Sequence, residues 1–236
     1  MSRRGGLIIF ITLIISFCSI SYELLLAQSL SAFLENTVLR YSVTIGLYLF
    51  AMGIGARVVE GKVLRHSIFQ LLKIETALTF IGGFLVIWLY GLDFLFEARW
   101  VFSLSAHGLI FLIGFLTGME LPLLMEMLKE DNPDNESTVL AFSYFGAVIG
   151  TVVFAFWFYP SVGLLQTAFI VGAMNGCAGL TLNFCRDKNN PELPKGFYVA
   201  LYIQLFLFFV ISICWLNSGS INQFCLQLYL NRGANG

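Results

Sequence analysis

The sequence predicts an all-α fold, a polytopic transmembrane helix bundle of about seven helices. Three observations predict it. Of 236 residues, 58% are apolar and only 11% charged, against about 45–50% and about 25% in soluble domains; mean hydropathy is +0.83. Seven apolar runs follow one another along the chain, each close to the ~20 residues a helix needs to cross ~30 Å of hydrocarbon. Lys and Arg fall unevenly on the polar stretches between them, as expected when alternate loops face opposite sides of a membrane.

The first run, 7–30, follows Arg3 and Arg4. It is long, and no small-x-small cleavage site precedes a soluble domain, so it reads as a retained helix rather than a signal peptide. The second, 41–59, carries Gly46, Gly53 and Gly55. The third covers 68–91. The fourth, 101–127, contains Gly114, Gly118 and Pro122; the fifth, 139–159, contains Gly146 and Gly150. After a turn at Pro160 comes the sixth, 162–184, with Gly172 and Gly176, and then the seventh, 197–217. Glycines four apart let two helix backbones approach closely where lipid provides no hydrophobic drive for association. Gly53, Gly55 and the three GxxxG pairs are therefore expected packing positions. Residues 1–217 form the transmembrane domain. Residues 218–236 are a short tail whose Ile221, Phe224, Cys225 and Leu228 recur at helical spacing, which suits an interfacial helix as well as a frayed terminus.

With the N-terminus placed in the cytoplasm, ten basic residues fall inside: Arg3, Arg4, Arg57, Lys62, Arg65, Lys73, Lys129, Arg186, Lys188 and Lys195. Three fall outside: Arg40, Arg99 and Arg232. The expected location is the inner (plasma) membrane with a cytoplasmic N-terminus, and seven crossings put the C-terminus outside. Trp88, Tyr90, Trp100, Trp157 and Tyr159 sit near the outer ends, as an aromatic belt would. A net charge of −1 with no basic patch gives no footing for nucleic acid. The five cysteines are scattered, without CxxC spacing, so they read as small packing residues. No metal or cofactor is expected.

The ionisable residues inside the apolar runs carry the most information, because such groups usually face the bundle or a wet cavity. Glu23 lies in SYELLLAQ, and Glu120 lies in GMELPLL, two residues before Pro122. That proline removes a backbone hydrogen bond and can open room for water or a ligand. With Tyr22, Tyr144 and Asn175, these form the candidate ligand-binding set. Two readings of the carboxylates stand side by side: a cation or proton site, or hydrogen bonding to Tyr22, Tyr144 or a facing helix. Glu75 has Lys73 two residues away, and both read as snorkelling to the inner interface. His107 reads as a packing residue. The short basic loop with Gly61, Lys62 and Arg65 resembles the cytoplasmic loop of major-facilitator transporters, without the usual aspartate.

Three stretches resemble one family: SYELLLAQ with YSVTIGLYLFAMGIGA, GFLTGMELPLL, and YFGAVIGTVVFAFWFYPSVGLLQTAFIVGAMN. In that order they resemble the membrane domain of membrane-bound spermidine synthase-like proteins, the polyamine aminopropyltransferases. The resemblance implies a bundle of about seven helices, similar to one half of a major-facilitator fold, preceding a soluble synthase domain. No GGGDG-like turn of such a domain is present, so the resemblance does not carry the catalytic activity over.

Three functions follow as expectations. The first is a membrane subunit that anchors or feeds a polyamine-type enzyme, or that binds a cationic amine inside the bundle. Its partners would be membrane lipid and a soluble synthase or other membrane subunit on a separate chain. The second is a small-cation or proton-coupled transporter acting as a homo-oligomer. The third is a structural or assembly subunit. No nucleophile–base pair, phosphate-cradling turn or metal cluster is legible for catalysis by the chain alone.

Overall fold

A computed structural model describes residues 3–60, 67–96, 98–129, 136–185, 194 and 196–233. The basic loops holding Lys62, Arg65, Arg186, Lys188 and Lys195 lie outside them. Among the described residues every element is helical: α1 (Arg3–Leu34), α2 (Thr37–Glu60), α3 (Ser67–Gly83), α4 (Leu85–Leu95), α5 (Arg99–Lys129), α6 (Glu136–Val153), α7 (Leu164–Thr181), α8 (Phe197–Leu216) and α9 (Ser218–Gly233). Six stretches are long and apolar enough to cross a membrane on their own.

The third apolar run is not one straight helix. α3 and α4 meet at a 56° bend, and only together are they long and apolar enough to cross a membrane. The physical reason lies in Gly82 and Gly83. A Cβ on Gly82 would stand 2.5 Å from the Tyr22 ring, and one on Gly83 would stand 2.7 Å from Ile211 Cδ1. Close packing demands glycine there, glycine is a poor helix former, and the helix breaks at Phe84. The tail, by contrast, is folded: α9 follows directly on α8 and packs against α4 and α8.

α1 is the hub of the bundle. It packs against α2, α5, α6 and α7, and its buried side chains lie on more than one face. It ends in two left-handed residues, Glu35 (φ 58°) and Asn36 (φ 55°), and the Asn36 side chain then accepts the Leu39 N–H at 3.3 Å, starting α2. Small residues set the tightest crossings. Cβ atoms on Gly55 and Gly118 would overlap the backbones of Phe115 and Met52, which joins α2 to α5. Gly146 and Gly150 sit against the backbone of α1 at Leu13 and Phe17, and Gly172 sits against Gly83. Gly114 lies against Tyr48, and a Cβ on Gly176 would stand 3.3 Å from the Phe208 ring, slightly inside ordinary contact. Gly53 differs from the expectation, since nothing stands within 4 Å of where its Cβ would be.

α6 runs on into a π-helical segment, Phe154–Val162, closed by the Gly163 N–H donating to the Phe158 carbonyl at 2.9 Å. Pro160 lies within this segment. It has no N–H to give, so the wider turn accommodates it, and Gly163 (φ 86°) ends it.

Candidate functional site

A cavity of about 370 Å³ lies between α1, α2, α5 and α6. α1 supplies Ser16, Ser19 and Glu23 to its wall, residues spaced three and four apart and therefore on one helix face. α5 supplies Thr117, Glu120 and Leu124 by the same spacing. Leu49 and Met52 of α2 and Leu140, Ser143 and Tyr144 of α6 complete it. α2 and α6 do not pack against one another to any extent, so the cavity is walled mainly by two pairs, α1 with α6 and α2 with α5.

The serine and threonine hydroxyls around this cavity are already engaged. Ser16 donates to Ser143 at 2.8 Å. The Tyr48 hydroxyl donates to the Ser19 carbonyl at 3.0 Å, and Thr117 donates to the Ile113 and Gly114 carbonyls at 3.1 and 3.0 Å. The carboxyls stand apart from this pattern. Glu23 and Glu120 are 6% and 3% exposed, and among the described residues no Lys, Arg or His pairs with either. Five residues beyond Glu23, Gln28 ties three elements together. Its Nε2 donates to the Tyr159 hydroxyl at 2.8 Å, and its Oε1 accepts from the Tyr41 hydroxyl.

The sequence-predicted residues therefore divide. Glu23, Glu120 and Tyr144 share the cavity. Tyr22 is fully buried on another face of α1, with its ring on Gly82 and its hydroxyl 3.5 Å from the Leu78 carbonyl. One residue is a 100° step around a helix, and here that step turns Tyr22 away from the wall that Glu23 lines. Asn175 is also away from the cavity, donating from Nδ2 to the Glu75 carbonyl at 3.3 Å.

Glu75 corrects an expectation. It does not snorkel; it is fully buried, and its carboxyl faces Asn175 and Glu120. Lys73 is exposed, its Nζ 4.7 Å from the Phe69 ring centroid. Residues two apart lie on opposite sides of a helix, so Lys73 says nothing about where Glu75 points. The spacing of Leu71, Leu72, Glu75, Leu78, Thr79 and Gly82, all buried, is the signal that places it inside. His107 accords with local packing, with Nδ1 bonding within α5 to the Ser103 carbonyl. No cluster of three or more His, Cys, Asp or Glu that could hold a metal occurs among the described residues.

Comparison with known proteins adds a lineage to this geometry. Over 166 residues the chain is 39% identical to the polyamine aminopropyltransferase of Leptospira interrogans, covering 69% of this chain and 32% of the relative. The chain is a relative of the polyamine aminopropyltransferases. Over 176 residues it is 36% identical to that of Oceanobacillus iheyensis, covering 73% of this chain and 34% of the relative. Polyamine aminopropyltransferase 1 of Streptomyces coelicolor is 32% identical over 189 residues, covering 78% and 35%. The chain thus spans about a third of the length of these polyamine aminopropyltransferases. No family model and no solved structure matches it.

Proposed function

We propose that this chain is the membrane-embedded part of a polyamine aminopropyltransferase-type system, and that it binds a protonated amine in the cavity between Glu23 and Glu120. The observation that supports it is the pair of buried carboxyls lining one cavity without a cationic partner among the described residues. A carboxylate taken out of water is tolerated when it meets an opposite charge. A protonated alkyl diamine offers a charge at each end and methylenes between, which suits two carboxyls and the apolar walls of Leu49, Met52, Leu121 and Leu124. The relatives, about three times as long, support a catalytic portion elsewhere, on this polypeptide or on a partner, which the bundle anchors or supplies. The ten-to-three distribution of Lys and Arg supports an inner-membrane location with the N-terminus in the cytoplasm.

The test is calorimetric titration of the protein in lipid nanodiscs with putrescine and spermidine. Removing one partner of a buried charge pair costs about 2–5 kcal/mol, so Glu23→Gln and Glu120→Gln each weaken binding by about 30-fold or more. Wild-type protein that binds neither amine, or variants that bind as the wild type does, sink the proposal. Variants that melt lower with no change in binding would make the carboxyls structural ties.

A further inference from the structure

A second polar cluster lies outside the cavity, where α3, α7 and α8 meet. Four of its oxygens are buried and have no hydrogen-bond partner: both carboxyl oxygens of Glu75, Oδ1 of Asn175 and Oε1 of Gln204. All three residues are at most 1% exposed. Buried polar atoms almost always find a partner, and each exception asks for an explanation.

The two amides are pinned by their nitrogen ends. Asn175 Nδ2 donates to the Glu75 carbonyl at 3.3 Å. Gln204 Nε2 donates to Thr79 Oγ1 at 3.0 Å and to the Gly176 carbonyl at 3.1 Å. Each amide nitrogen has a partner, and the two amide oxygens are left without one. α8 brings Gln204 here on a narrow stripe, since Phe197, Gln204 and Ile211 are its buried residues and stand seven apart. A missing side chain also lets the cluster close up. A Cβ on Gly179 would lie 2.6 Å from Gln204 Nε2 and 3.1 Å from Glu75 Cβ, so the Gln204 head group and Glu75 converge on that glycine.

We propose that Glu75, Asn175 and Gln204 form an enclosed site for a small monovalent inorganic cation of the Na⁺ class. The free donors are all oxygens, which select a hard cation over a transition metal. Glu120 faces Glu75, and two facing buried carboxyls carry one negative charge between them, which one monovalent cation balances. Ca²⁺ takes six to eight oxygens and Mg²⁺ keeps several waters, and four enclosed protein oxygens suit neither. The site touches the cavity through one residue: Glu120 lines the cavity and faces Glu75. This inference stands apart from the amine reading, because it uses different residues and a different ligand.

The test is the melting temperature of the purified full chain in nanodiscs, in NaCl, KCl, LiCl or choline chloride at equal ionic strength. The wild type melts about 5 °C or more higher in NaCl than in choline chloride, once Na⁺ is about a hundredfold above its Kd. Glu75→Gln loses that difference, and Glu126→Gln, on α5 outside both sites, keeps it. Equal melting of the wild type in all four salts overturns the proposal, even if Glu75→Gln fails to fold. So does a Na⁺ effect that survives Glu75→Gln, or a rise with Ca²⁺ or Mg²⁺ but not with Na⁺. Amine titration is read separately, so each proposal fails on its own measurement.

Discussion

Gly118→Ala adds one methyl group at the most intimate helix crossing in the bundle. Its Cβ would overlap the Met52 carbonyl oxygen and stand 2.5 Å from Met52 Cα. Ordinary contact begins near 3.4 Å, so α2 and α5 must part by about 1 Å. The obstacle is backbone, which cannot rotate away as a flexible side chain would. A gap of 0.5–1 Å forfeits about a quarter to a half of each dispersion contact along the seam, and overpacking a tight interior typically costs about 1–3 kcal/mol. For a chain of this size that is roughly 2–12 °C in melting temperature. The assay is thermal unfolding in nanodiscs followed by tryptophan fluorescence. Gly53→Ala is the control on the same helix pair, because nothing lies within 4 Å of its Cβ position. The reasoning is refuted if Gly118→Ala melts with the wild type, or if Gly53→Ala loses as much. The same crossing carries Met52, Thr117 and Glu120 into the cavity wall, so Gly118→Ala also weakens amine binding.

Other perturbations test separate contacts. Gly172→Ala puts a Cβ 2.5 Å from Gly83 Cα and lowers the melting temperature, whereas Gly46→Ala, with nothing within 4 Å, leaves it unchanged. A double-mutant cycle on Ser16→Ala and Ser143→Ala, which share a 2.8 Å hydrogen bond, returns a coupling of about 0.6 kcal/mol, the average for such bonds in membranes; a value near zero argues against that bond. Glu23→Leu inserts into the membrane normally, as protease mapping would show, but does not bind amine.

The number of apolar runs was legible because a membrane span is specified by composition and length, which need no knowledge of neighbours. Glu23 and Glu120 could be singled out for a related reason, since a carboxyl in an apolar helix stands against its background. What composition could not give was direction. Adjacency suggests that Tyr22 shares a site with Glu23, yet the two face different helices. Chemistry alone suggests that Asn175 joins the carboxyls of the ligand set, but its partner is on α3. A nearby lysine suggests an interface for Glu75, although the spacing of the leucines in α3 already carries the burial pattern that places it inside. The break at Phe84 arises from what Tyr22 and Ile211 require of Gly82 and Gly83. That requirement exists only once α1, α3 and α8 are assembled.

The central position of α1 also has a bearing on how the bundle is made. Synthesis runs from the N-terminus, so the helix that finishes surrounded by α2, α5, α6 and α7 is produced before any of them. α7 begins at Leu164, far downstream of the end of α1 at Leu34. At about 5–20 residues per second, α1 waits on the order of ten seconds for that last neighbour. Until α2, α5 and α6 have followed, Glu23 and Ser16 have no protein cover. A carboxyl at the centre of a lone span is disfavoured by roughly 2.5–3.5 kcal/mol, and each Leu, Ile or Phe returns about 0.3–0.6. The run of Leu, Ile and Phe on either side of Glu23 thus has a task before folding is complete: it holds in lipid a helix whose most polar side chain has not yet met its partners.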